Sequence, residues 1–101
     1  MLDTMTGPDL TIDHVKEAHA RIKPYIHETP IFTSSYFNSL TGAELFFKCE
    51  NFQKAGAFKV RGACNAVFGL SDELAEKGVA THSSGNHALS LSYAAGRRVI
   101  P

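Results

Sequence analysis

Apolar residues recur at spacings of three and four from Ile12 onward, at Ile12, Val15, Ala18, Ile22 and Ile26. That period places one apolar stripe along a helix. Thr11 stands where an N-cap is wanted, and Pro24 ends the helix or kinks its last turn. Glu28-Thr29-Pro30 reads as a turn into a short strand, Ile31 to Thr33. Ser34-Ser35 opens a short helix that Thr41-Gly42 stops. Glu44 to Cys49, rich in Leu45, Phe46 and Phe47, predicts a buried strand. A loop follows over Asn51 to Gly56, then a helix over Phe58 to Phe68 with Val60, Cys64, Val67 and Phe68 on one side. Ser71 to Lys77 is a capped, exposed helical turn or two, closed by Gly78. Val79 to His82 predicts a short strand, Ser83 to Asn86 a polar loop, and His87 to Arg97 a helix. Val99-Ile100-Pro101 reads as the approach to a further strand.

Strand–helix alternation after Glu44 argues for an α/β architecture, a parallel sheet with flanking helices. Three short strands are few for such a sheet, which needs both faces covered. The expectation is therefore an incomplete α/β unit, a fragment or a truncated product. Residues 1–10, with Gly7-Pro8 and two Asp residues, read as a loose tail.

Composition narrows the function classes. Hydrophobic residues make up 44% of 101, which is not the composition of a disordered chain. Ten basic and ten acidic residues leave no net charge, against a nucleic-acid partner. No apolar run is long enough for a membrane helix, and residues 1–8 have no basic flank or apolar core, so no secretory signal is read. Cys49 and Cys64 lack metal-ligand spacing and are read as reduced, partly buried thiols of a cytoplasmic protein, with a disulfide between them as the lesser alternative. His14 and His19 are expected on the flanks of the first helix, solvated.

Two stretches carry candidate chemistry. In Ala55-Gly56-Ala57-Phe58-Lys59-Val60-Arg61-Gly62-Ala63 a lysine sits between small residues, behind a strand and in the first turn of a helix. Partial desolvation and the positive end of the helix dipole would favour a neutral, nucleophilic amine there; the alternative is a plain surface lysine. In Thr81-His82-Ser83-Ser84-Gly85-Asn86-His87 a strand runs into a hydroxyl- and glycine-bearing turn at a helix start, a cradle of N–H groups for an anion or an ordinary capped connection. Ser34-Ser35 offers the same two readings.

Together these words resemble the fold-type II pyridoxal phosphate (PLP) enzymes, whose fold is that of the tryptophan synthase β chain. Within them the match is to the serine racemase and serine/threonine dehydratase (threonine ammonia-lyase) branch. Phe47-Lys48-Cys49-Glu50-Asn51-Phe52-Gln53-Lys54, Gly56 to Ala66, and Ser83-Ser84-Gly85-Asn86-His87 carry the likeness, in that order and separation. The resemblance implies that this is the N-terminal portion of such an enzyme, with 11–70 starting the larger PLP-binding domain and 71–101 the smaller substrate-loop domain. It implies a PLP-dependent lyase or racemase acting on L-serine or L-threonine, by α,β-elimination to a 2-oxo acid and ammonia or by serine racemisation.

By the same resemblance Lys59 is the lysine that holds PLP covalently and moves the Cα proton, and Phe58 and Asn86 also contact the cofactor. Ser83, Ser84, Gly85, Asn86 and His87 hold the substrate amino acid, with Ser84 returning a proton on the face opposite Lys59. Ser34, Ser35 and Lys54 stand where racemase relatives bind an activating nucleotide. Ala55 departs from the Thr or Ser usual after that lysine, and Leu89 from a frequent Gln. Mg and ATP belong to the full-length relatives; no metal site is expected in this chain. A homodimer is the expected assembly of a full-length protein. The family's glycine-rich phosphate cradle comes later in its chain, so weak PLP binding and little turnover are expected of these 101 residues alone. The alternatives are a non-catalytic homologue that acts by assembly, and a small anion- or nucleotide-binding domain unrelated to PLP.

Overall fold

The computed structural model describes residues 9–101. The tail read over 1–10 lies outside them except for Asp9 and Leu10. Five helices and two short strands follow in order. These are α1 (Ile12–Ile22), β1 (Ile31–Phe32), α2 (Ser35–Thr41), β2 (Phe47–Lys48), α3 (Lys59–Phe68), α4 (Asp72–Glu76) and α5 (Asn86–Arg98). Three-residue 3₁₀ turns occupy Lys23–Tyr25, Glu50–Phe52 and Lys54–Gly56.

Helix α1 ends one residue before the 3₁₀ turn that holds Pro24, as the missing N–H requires. His14 is not merely solvated: its Nδ1 accepts from the Thr11 backbone N–H at 3.0 Å and closes the helix start. The apolar stripe is only partly buried. Ile22 joins the core, with Tyr25 and Ile26 packed against it, whereas Ile12 and Val15 are exposed. The first two turns of α1 run past the elements that cover its C-terminal end.

The core is the seam between α3 and α5. Val60, Cys64 and Val67 are fully buried, Ala63 lies among them, and Ala94 meets them from α5. This is the expected stripe of α3, with Ala63 added. Small residues on α5 (Ser90, Ala94, Ala95) let the two helices approach closely. Tyr25 stacks on Phe68 with ring centroids 3.8 Å apart. Arg98 ties the end of α5 to its neighbours, donating to the carbonyls of Val67 and Leu70 and to Asp72 Oδ1 at 3.0 Å. A cation in the last turn also suits the helix dipole.

The sheet departs from expectation. Strands β1 and β2 pair antiparallel, with Ile31 opposite Lys48 and Phe32 opposite Phe47. The connection explains it. Gly42, at φ 71°, closes α2, and Asn38 Oδ1 accepts from Leu45 N–H at 2.8 Å. The chain is folded back along α2, and β2 returns against β1. The strand expected to be buried is also exposed: Phe46 is 68% and Phe47 43% accessible. Val79 to His82 forms no ladder among the described residues; its one backbone link is Val79 N–H to Pro101 O at 2.9 Å. Both cysteines are free, Cys49 half-buried and Cys64 buried.

Candidate functional site

Lys59 is the first residue of α3, and the 82–87 loop leads into the first turn of α5. Because α3 and α5 pack side by side, their N-terminal ends come together. Lys59, His82, Ser83, Ser84 and His87 line one open cavity of about 610 Å³. The seam of small side chains thus brings residues more than twenty positions apart onto one surface.

The cavity's chemistry is one-sided. Its lining holds one amine, two imidazoles and two hydroxyls, and no carboxylate. The N-cap residue of α5, Gly85, has no side chain to cap it, so the first-turn N–H groups add to the positive end of the dipole. The Gly85 N–H donates to Ser83 Oγ at 3.2 Å. A Cβ built on Gly62 or Gly85 would meet no atom within 4 Å, so both approaches are open. An amine for an aldehyde and a set of donors for an anion fit a phosphorylated aldehyde cofactor.

Lys59 itself is exposed, not partly desolvated as the sequence implied. Its Nζ lies 5.8 Å from the centroid of the Phe58 ring, within cation–π range. Gly85 and Asn86 complete the turn without lining the cavity. Phe58 lines a second cavity of about 630 Å³, with Ile26, Lys48, Glu50 and Arg61 among its walls. The third set is not gathered by any bond. Ser34 Oγ caps α2 by accepting from Phe37 N–H at 3.2 Å. Ser35 opens that helix, and Lys54 lies in the 3₁₀ turn before Gly56. Among the described residues no hydrogen bond joins either serine to Lys54.

His82 is a lining residue that sequence reasoning did not select. The signal was its place as the last residue before the Ser83 turn. A polar network behind Lys59 was missed as well. Arg61 Nε donates to Glu50 Oε1 and its terminal nitrogen to Glu50 Oε2 at 3.1 Å. Thr29 Oγ1 donates to Glu50 Oε2 at 2.6 Å, and Lys48 Nζ to Thr29 O at 2.7 Å. The Arg61 hydrogen bond, opposed by burial and helped by Thr29, pulls the Glu50 carboxyl from 4.5 down to about 2. Opposite charges eleven residues apart were visible in the sequence, but their pairing was not. Among the described residues no cluster of His, Cys, Asp and Glu could hold a metal, and no helix is long and apolar enough to cross a membrane.

The profile of the family described as Pyridoxal-phosphate dependent enzyme matches residues 22–101. The chain is 70% identical over 91 residues to the β-hydroxyaspartate dehydratase of Paracoccus denitrificans, covering 90% of this chain and 29% of that protein. It is 66% identical over 87 residues to the serine racemase of Arabidopsis thaliana, covering 86% and 26%. Superposition on the crystal structure of serine racemase from Dictyostelium discoideum gives a TM-score of 0.87 at 58% identity, over 90% of this chain and 30% of that one. The chain spans less than a third of the length of these relatives.

Proposed function

The chain belongs to the pyridoxal-phosphate dependent enzyme family, a fold-type II member with serine racemase and dehydratase homologues, and we propose that it serves a PLP-dependent lyase or racemase of β-hydroxy-α-amino acids. L-Serine and L-threonine are the substrates proposed first. β-Hydroxyaspartate, named for the Paracoccus relative, has the same α-amino acid with a β-hydroxyl. The observation that carries this reading is the single cavity shared by Lys59 and the Ser83–His87 turn.

PLP, when bound, supplies an electron sink conjugated with the substrate Cα. The protein's part is to hold and to move protons. Lys59 would hold the cofactor through its amine and take the Cα proton on one face. Ser84 would present its hydroxyl to the other face and return a proton there, which gives racemisation. Loss of the β-hydroxyl instead gives elimination. Ser83 and His87, with the uncapped N–H groups of α5, would bind the substrate carboxylate. Asn86 would donate to the phenolic oxygen of the cofactor ring; Phe58, which lines the other cavity, is given no part in holding it.

The test is a spectroscopic titration of the chain with PLP. A visible absorption band should form, should be abolished in Lys59→Ala, and should shift on adding L-serine or β-hydroxyaspartate. A band of equal size in Lys59→Ala would overturn the reading.

A further inference from the structure

Helix α3 starts under unfavourable local conditions. Phe58 stands at its N-cap and provides no side-chain cap. Its first turn has no acidic residue but two cations, Lys59 and Arg61, at the positive end of the dipole. The missing negative charge comes from outside the helix. Glu50 reaches across and receives two N–H bonds from Arg61, and it is itself held by Thr29. Both side chains are largely covered, the carboxylate 16% and the guanidinium side chain 31% accessible.

The pair also fixes a direction. Residues two apart on an α-helix are separated by roughly 200° around its axis. With Arg61 held toward Glu50, Lys59 is sent to the opposite side. The cavities agree: Glu50 and Arg61 line one, and Lys59 lines the other with Ser83, Ser84 and His87. Rotating the first turn of α3 would swing the amine away from the cavity it shares with those hydroxyls.

We propose that Glu50 and Arg61 are positioning residues for Lys59, a bidentate brace that sets the rotation of the first turn of α3 and so aims the amine at the Ser83–His87 turn. The proposal rests on the reading of Lys59 as the residue that holds PLP. A guanidinium is needed because its planar fork meets both carboxylate oxygens, which a lysine ammonium cannot match.

The experiment traps PLP on the full chain with borohydride and maps the label over Lys48, Lys54 and Lys59 by mass spectrometry. The readout is the share of label at Lys59, with helix content followed by circular dichroism. Wild type should concentrate the label at Lys59. Glu50→Gln should lower that share about five-fold while helix content holds. Arg61→Lys, the milder change, should lower it about two- to three-fold, because charge is kept and the fork is lost. An unchanged Lys59 share in a folded Arg61→Lys or Glu50→Gln variant would overturn the brace. If wild type itself shows no preference for Lys59, the reading of Lys59 as the PLP-holding residue fails, and the brace falls with it. That outcome is distinct from a normal wild type with insensitive variants.

Discussion

Gln53 clamps the backbone of His27 from both sides. Its Oε1 accepts from His27 N–H at 2.8 Å and its Nε2 donates to His27 O at 2.8 Å. The same oxygen accepts from Lys54 N–H at 2.9 Å. Gln53 is 4% exposed, so these bonds are made away from water. They join the segment after α1 to the turns that precede Lys59. Gln53→Ala leaves two His27 backbone groups and the Lys54 N–H without these partners. The expected loss is about 2 kcal/mol, read as a lowered midpoint in urea unfolding. Gln53→Glu keeps the acceptor but loses the donor to His27 O, and should recover part of it.

The Glu50 pair makes stability depend on acid. In the unfolded chain this carboxyl titrates near its ordinary 4.5, and in the folded protein at about 2. A depressed folded value means that the folded state prefers the carboxylate. The stabilisation is complete above 4.5 and is lost as pH falls from there to about 2. Wild type should exceed Glu50→Gln by about 1–2 kcal/mol at neutral pH, discounted for the exposed part of Arg61. The gap should close across that acid window in thermal melts. A gap that stays constant from pH 7 to pH 2 would refute it.

Ser90 places a hydroxyl in the α3–α5 seam with no hydrogen-bond partner among the described residues, on a residue with no accessible surface. Such a group carries its desolvation cost uncompensated. Ser90→Ala removes the oxygen and almost no packing volume. The melting temperature should rise, by the equivalent of about 1 kcal/mol. A drop would mean that the hydroxyl finds a partner in solution.

Ala55 holds φ 59° in the 3₁₀ turn before Gly56. An L-residue with a Cβ is strained there by roughly 1 kcal/mol. Ala55→Gly should therefore raise the urea midpoint modestly, the strain relief outweighing the added freedom of the unfolded chain. Ala55→Val, β-branched in the same conformation, should lower it.

Legibility in the sequence followed the range of the interaction. Val60, Cys64 and Val67 announced the buried side of α3 by spacing alone, and Pro24 announced the end of α1 by its missing N–H. The Lys59 and Ser83–His87 words, picked out by local chemistry and family likeness, supply most of the lining of one cavity, the candidate site. Phe46 and Phe47 misled, because an apolar run says that residues can be buried, not which neighbour covers them. The β1–β2 pairing depended on how Gly42 and Asn38 fold the chain back, and strand direction has no local signature. Glu50–Arg61 and Gln53–His27 are contacts eleven and twenty-six residues apart, whose partners no spacing rule selects.

By itself the sequence determined where helices start and stop, which side of α3 is apolar, and which stretches carry an amine and hydroxyls of candidate chemistry. Those properties depend on dihedral preference, hydrogen-bond supply and side-chain type within a few residues. Tertiary structure decided that Lys59 is exposed and shares a cavity with His82, that Phe58 lines a different cavity, and that Glu50 pairs with a cation of α3. These outcomes rest on which surfaces meet when α3 packs on α5. That meeting is set by the sum of distant apolar contacts and charge pairs, not by any one stretch of chain.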